Sequence, residues 1–172
     1  GLKENPFADS LHTLVGLDSV VDELQYHVQA GNMVFIEAKE GNGKTALLQT
    51  VINAFKGKKR VIYIDCKTIT HPNIEAVMQK RYGLLGRLFN VIPHNMILLV
   101  DDISTLSTRN AQRLQFFFDH HYIDAVIFTG EKYGGAVLPK SIKDRIGGRV
   151  MKIPKITFSY ALELIHQRLG TS

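Results

Sequence analysis

Residues 33–49 read Met33-Val34-Phe35-Ile36-Glu37-Ala38-Lys39-Glu40-Gly41-Asn42-Gly43-Lys44-Thr45-Ala46-Leu47-Leu48-Gln49. Four apolar residues in a row, without polar alternation, suit a strand covered on both faces. Ala46-Leu47-Leu48-Gln49 opens a helical pattern, and a glycine-containing turn lies between the two. Glycines let the backbone curl until successive N–H groups point inward at one anion. A helix starting near Lys44 adds the positive end of its dipole at the same place. The stretch therefore predicts strand, anion-binding loop, helix.

The ending Gly41-Asn42-Gly43-Lys44-Thr45 matches the phosphate-loop pattern, in which Lys44 reaches the β- and γ-phosphates and the Thr45 hydroxyl completes a magnesium shell. The pattern has glycine where this chain has Ala38. A small residue suffices there, so Ala38 reads as a tolerated variation. The competing reading, a glycine-rich turn with a chance Gly-Lys-Thr, does not account for the placement between strand and helix. Residues 38–46 are the expected nucleotide contacts, with ATP or ADP and Mg2+ as cofactors.

Three further apolar runs, Val61-Ile62-Tyr63-Ile64, Met96-Ile97-Leu98-Leu99-Val100 and Ala125-Val126-Ile127-Phe128, have the same strand character, and Val150-Met151-Lys152-Ile153 is a weaker fifth. Helical patterns cover residues 19–30, 45–56, 73–89, 108–120 and 159–169, the first following Asp18 or Ser19 as cap and ending at Gly31. Strands alternating with helices imply right-handed crossovers and an α/β three-layer sandwich around a five-stranded, mainly parallel sheet.

The run from Ile97 to Val100 ends in Asp101-Asp102. A phosphate loop needs an acid from a neighbouring strand to hold magnesium, and Asp101 fits. Asp102 is placed to orient or deprotonate an attacking water. Aspartate is one methylene shorter than glutamate, which favours slow hydrolysis.

Composition sets the bounds. A length of 172 residues accommodates one well-buried domain. With 45% hydrophobic and 22% charged residues, the chain has the make-up of a globular protein and not of a disordered one. No apolar run approaches the ~20 residues of a bilayer span, and the N-terminus lacks a signal-peptide pattern. With Cys66 as its single cysteine, the chain is expected in a reducing, intracellular compartment, cytoplasmic or nuclear, without a membrane partner. Net charge is +5 and unevenly spread, with −4 over residues 1–50, +6 over residues 51–100 and the remaining +3 beyond them. A basic middle segment suits nucleic acid or a solvated face equally.

In these motifs the sequence resembles the AAA+ family of ATPases over nearly its whole length. Leu14-Val15-Gly16-Leu17-Asp18 resembles the segment that packs on adenine, with Val15 and Gly16 the matching residues; Leu17 and Asp18 depart from the arginine and glutamate of many relatives. Asp101-Asp102 in place of Asp-Glu is similar to initiator-type members. Thr129, after Phe128, matches the family's first sensor of the γ-phosphate. Leu138-Pro139-Lys140-Ser141-Ile142-Lys143-Asp144-Arg145 resembles the stretch that carries an arginine finger acting in trans, with Arg145 the matching residue and Arg149 a second candidate; Asp144 replaces a common serine. The continuation through Pro154 to Ile165 resembles the core-to-lid transition of origin-recognition-type replication initiators. The resemblance implies an oligomer of AAA+ subunits, of one or several kinds, and a DNA-linked process. It divides the chain into a core over residues 1–157 and the start of a lid or C-terminal helix over 158–172. The missing lid and Gly1 in first place lead to the expectation of a fragment or a lidless member.

Other features read more plainly. His120-His121 suits a helix end better than a metal site. At least two of Phe116, Phe117 and Phe118 are expected in the core. Lys56-Gly57-Lys58-Lys59-Arg60 reads as a solvated loop, and Cys66 as a small buried residue. Two functional classes remain open: an ATPase that remodels or loads something through intersubunit sites, and a nucleotide-binding switch with little or no hydrolysis. A small-molecule kinase, a third reading, lacks any acceptor-site motif.

Overall fold

Adjacent residues of a strand leave on opposite faces, so an unbroken apolar run is stable only when both faces are covered. The computed structural model, which describes residues 18–55, 60–68, 74–80 and 94–153, builds that cover. The chain runs α1 (Asp18–Gln29), β1 (Met33–Glu37), α2 (Lys44–Phe55), β2 (Arg60–Asp65), α3 (Ile74–Lys80) and β3 (Met96–Asp101). A 3-10 turn (Ile103–Thr105), α4 (Thr108–Asp119), β4 (Ile123–Gly130), α5 (Lys140–Ile146) and β5 (Val150–Lys152) follow. The five strands lie in the order β2-β3-β4-β1-β5, and every pairing is parallel.

Strand parity separates two cores. Val34, Ile36, Ile97, Leu99, Ala125 and Ile127 face α1 and α2, meeting Leu24, Val28, Leu47, Leu48, Val51 and Phe55. Their neighbours Met33, Phe35, Leu98, Val100, Val126 and Phe128 face α3, α4 and α5, meeting Met78, Leu114, Phe117, Ile142 and Ile146. The expected three-layer sandwich is thus in place. β1 and β4 are adjacent, yet the helices that follow them, α2 and α5, lie on opposite faces. Such a reversal opens a crevice at the carboxyl ends of the strands, where ligands of open α/β sheets bind.

Several expectations are refined. The helix over 73–89 is described only as α3, and those parts of the reading that rest on residues 1–17, 56–59, 69–73, 81–93 and 154–172 lie outside the described residues. α5 was not anticipated. It has seven residues after Pro139, too short for a periodic signal, and is held by burial of Ile142 and Ile146 one turn apart. Of the three phenylalanines, Phe117 is fully buried, Phe118 packs partly against the core and Phe116 is 44% exposed. Consecutive residues on a helix point about 100° apart, so one apolar face cannot take all three. His120 caps α4 and His121 follows it, both exposed.

Gly130 closes β4 beneath the fully buried ring of Phe35. A Cβ added there would lie 2.9 Å from Phe35 Cζ and 3.5 Å from Ile103 Cγ1. Gly130→Ala is expected to cost about 1–3 kcal/mol, read as a lower urea midpoint with unchanged slope; an unaltered midpoint would show that the ring has room to withdraw.

Candidate functional site

β1 delivers the chain to the crevice and α2 takes it away. Between them Gly41 and Gly43 both stand at φ +81, a conformation that L side chains rarely adopt. A Cβ on either would meet nothing within 4 Å, so the requirement is on backbone conformation and not on space. Ala38 is 4% exposed and packs in the core on the α2 side, while its N–H donates to Gly130 O at 3.0 Å. Its methyl group therefore points into the protein, which explains how alanine serves at a position where the pattern has glycine. Lys44 folds back across the loop, its Nζ donating to Ala38 O at 2.7 Å and Lys39 O at 3.0 Å. The first amides of α2, at Lys44, Thr45 and Ala46, belong to the turn whose N–H groups have no intrahelical acceptor.

Asp101 ends β3 and is 6% exposed. Thr45 Oγ1 donates to its Oδ2 at 3.0 Å, Tyr63 OH to the same oxygen at 2.8 Å, and Thr129 Oγ1 to its Oδ1 at 2.5 Å. Thr129, itself fully buried, also accepts the Asp102 N–H at 2.9 Å. Tyr63 was missed in the sequence because a hydroxyl in an apolar strand names no partner without the register. Tyr63 pairs with Leu99, so its side chain and Asp101 leave the same face two residues apart, a diagonal neighbour within reach of an aromatic. Burial first, and then the Asp101 carboxylate, pushes the Tyr63 hydroxyl well above its ordinary range, which keeps it a donor.

Asp102 lies just beyond β3, where the chain leaves the strand in a left-handed conformation, φ +50, as the N-cap of the 3-10 turn. Its Oδ1 accepts Ser104 N–H at 3.3 Å, and its Oδ2 lies 3.2 Å from Lys67 Nζ. Burial alone would raise its carboxyl, but the Ser104 and Lys67 bonds outweigh that and hold it below the ordinary range. Lys67 also donates to Glu40 Oε1 at 2.6 Å, joining the loop to the second acid. Lys67, Glu40, Asp102 and Gly130 border a cavity of about 490 Å³.

Thr45 Oγ1 and Asp101 Oδ2 are hard oxygen donors side by side. Mg2+ takes one or two such protein ligands and fills its octahedron with phosphate oxygens and water, so the donor set fits that ion. Among the described residues no three His, Cys, Asp or Glu side chains converge to form a metal site of their own. The fold thus brings together Lys44 and Thr45 of α2, Asp101 at the end of β3, Asp102 just after it and Thr129 of β4. Arg145 is elsewhere. Its Nε and one terminal nitrogen each donate to Asp119 at 2.8 Å, and the other terminal nitrogen donates to Ser141 O at 2.9 Å. Its carbonyl accepts from Arg149, whose Nε reaches Met33 O at the start of β1. That is the opposite end of β1 from the loop, roughly 13 Å away along the strand. Val15 and Gly16 lie outside the described residues.

Replacing Thr129 with valine removes one bond to each acid at nearly constant volume. Thr129→Val is expected to lose about 1–3 kcal/mol in denaturant titration, the cost of a buried polar group left without its partner. Thr129→Ser should recover most of that. Equal losses in both variants would assign the effect to packing of the methyl group.

The sequence profile of the bacterial DnaA ATPase domain matches residues 19–148. In structure the chain is similar to the Orc1 protein of Aeropyrum pernix in complex with DNA (TM-score 0.76, 14% identity, 96% of this chain and 52% of that one). It is likewise similar to Cdc6p of Pyrobaculum aerophilum (0.72, 15%, 96% and 52%) and to AMPPCP-bound DnaA of Aquifex aeolicus (0.60, 22%, 90% and 50%). At these identities the likeness is one of fold, and the chain spans about half the length of these proteins. No curated protein sequence matches it. With the profile covering most of its length, the chain belongs to the bacterial DnaA ATPase domain family, a member of the AAA+ class that its motifs resemble.

Proposed function

We propose that this domain binds Mg-ATP on residues 38–46 and hydrolyses it within an oligomeric, intracellular assembly that acts on DNA in replication initiation. The observation that carries the reading is the meeting of Thr45 and Asp101 under a loop whose glycines stand at φ +81 and whose lysine caps its own carbonyls. In this reading Lys44 exchanges the Ala38 and Lys39 carbonyls for β- and γ-phosphate oxygens, a stronger charge-assisted contact. Thr45 and Asp101 hold the magnesium ion, which neutralises charge on the phosphates. Tyr63 and Thr129 keep Asp101 in one orientation, and Thr129 fixes the backbone from which Asp102 reaches the attacking water. Val15 and Gly16 contact adenine. Arg145, facing away from its own loop, acts as a finger on a neighbouring subunit's nucleotide, releasing Asp119 to do so. Similarity in fold to an AMPPCP-bound DnaA and to an Orc1 in complex with DNA supports the nucleotide and DNA parts of the proposal.

One observation favours the second reading, a binding switch with little turnover. Both oxygens of Asp102 are engaged, one by Ser104 and one by Lys67, and the side chain is short for a base. Turnover by the full-length protein against Lys44→Ala distinguishes the two. Phosphate release equal in both, with ATP still bound by the wild type, would leave only the switch.

Ligand bound by the folded state alone stabilises it. Mg-ATP at about 100 times its dissociation constant should add about 2.7 kcal/mol, a rise in Tm of roughly 5–10 °C for a chain of this size. A melting curve unmoved by millimolar Mg-ATP removes the proposal. Arg145→Ala is expected to leave ATP affinity within about twofold while abolishing turnover that depends on assembly; full retained turnover would place the finger at another residue.

A further inference from the structure

We infer that Lys67 reads the terminal phosphate, exchanging the Glu40 carboxylate for it and so setting the preference for triphosphate over diphosphate. The inference rests on the nucleotide-binding reading above and adds to it a residue that no sequence motif marks. Lys67 stands two residues beyond β2, at the carboxyl ends of the strands. Its backbone is pinned there: its N–H donates to Asp65 Oδ1 at 2.9 Å, Cys66 N–H donates to Asp101 O at 3.0 Å, and Thr105 Oγ1 donates to Cys66 O at 2.5 Å. From this fixed base a flexible four-carbon stem carries an ammonium that is free to change partners.

The present partners are both anionic and both belong to the candidate site. Glu40 lies on the loop itself, immediately before Gly41, and Asp102 is the acid assigned to the attacking water. Whatever touches the Asp102 carboxylate lies on the side where the terminal phosphate is attacked. The Lys67 side chain is 51% exposed and that of Glu40 78% exposed. An exposed pair of this kind contributes little to stability, so a purely structural role gives weak reason for it. A triphosphate entering the loop brings several negative charges next to Glu40. It repels that carboxylate and offers the ammonium a better acceptor, since phosphate binding by a lysine point charge needs no fixed fork geometry. The cavity of about 490 Å³ beside Asp102 and Gly130 gives the stem room to move. A diphosphate ends short of this side and leaves the Glu40 pair intact.

Breaking the pair from its two ends separates this role from a surface ion pair. Equilibrium binding of Mg-ATP and Mg-ADP, measured by calorimetry without turnover, is the readout, with melting curves of each variant as the folding control. Lys67→Met should weaken ATP about tenfold or more relative to ADP, and Lys67→Arg should restore most of the ratio. Glu40→Gln should do the opposite, tightening ATP about two- to fivefold by removing a nearby negative charge. An ATP-to-ADP ratio in Lys67→Met within twofold of wild type overturns the inference while leaving nucleotide binding in place. Losses of equal sign and size in Lys67→Met and Glu40→Gln overturn it as well, because they describe a structural pair. Wild-type protein that binds neither nucleotide removes both this inference and the reading beneath it.

Discussion

The Asp101 carboxylate is the point at which the helix after the loop is tied to the sheet. It receives hydroxyl donors from three elements: Thr45 in α2, Tyr63 in β2 and Thr129 in β4. A carboxylate that is 6% exposed is tolerable only with its lone pairs occupied. The three donors meet that need, and in doing so they fix the start of α2 against the ends of β2, β3 and β4. The direction of the α2 amides and the position of Lys44 follow from that attachment. The loop's glycines permit the curl, but Asp101 decides where the curl sits.

The left-handed turn at the end of β3 then divides two adjacent acids between two environments. Asp101 leaves on the α2 side, among neutral hydroxyl donors. Asp102 leaves on the other, where Ser104 and the Lys67 ammonium hold it. Thr129 couples the two, donating to the first carboxylate and accepting from the backbone of the second. A single buried hydroxyl thus links side-chain orientation at one acid to backbone position at the next. Cys66, between Asp65 and Lys67, is buried in the same region, and its thiol is pushed up to about 11 by burial and by the surrounding aspartates. It behaves as a small core residue whose backbone groups position Lys67.

Much of this was legible in the order of residues. β1, β3 and β4 appear as apolar runs because burial on both faces leaves no polar alternation, β2 reads the same way although Tyr63 on this edge strand is exposed, and the loop appears because its glycines and lysine are local requirements. Asp101-Asp102 was readable as a strand end carrying acids. Tyr63 and Lys67 were not. Each acts across the sheet or across the site, on partners 38, 35 and 27 residues away in the chain, and one sequence carries no record of which strands are neighbours. α5 escaped for a different reason: seven residues with two buried isoleucines give too little periodicity to separate from a loop. The likeness to an arginine-finger stretch identified Arg145 by type, whereas only the fold shows it bound to Asp119 at the far end of β1.

By itself, then, the sequence determined what is local: strand, glycine turn, helix, and the chemical type of each group available to a phosphate or a metal ion. The tertiary structure alone decided the sheet order β2-β3-β4-β1-β5, the crevice between β1 and β4, and the convergence of Thr45, Tyr63 and Thr129 on one carboxylate. The physical reason is range. Backbone conformation and burial period act between residues a few positions apart, while strand pairing and hydrogen bonding join groups whose separation along the chain carries no information about their distance in space.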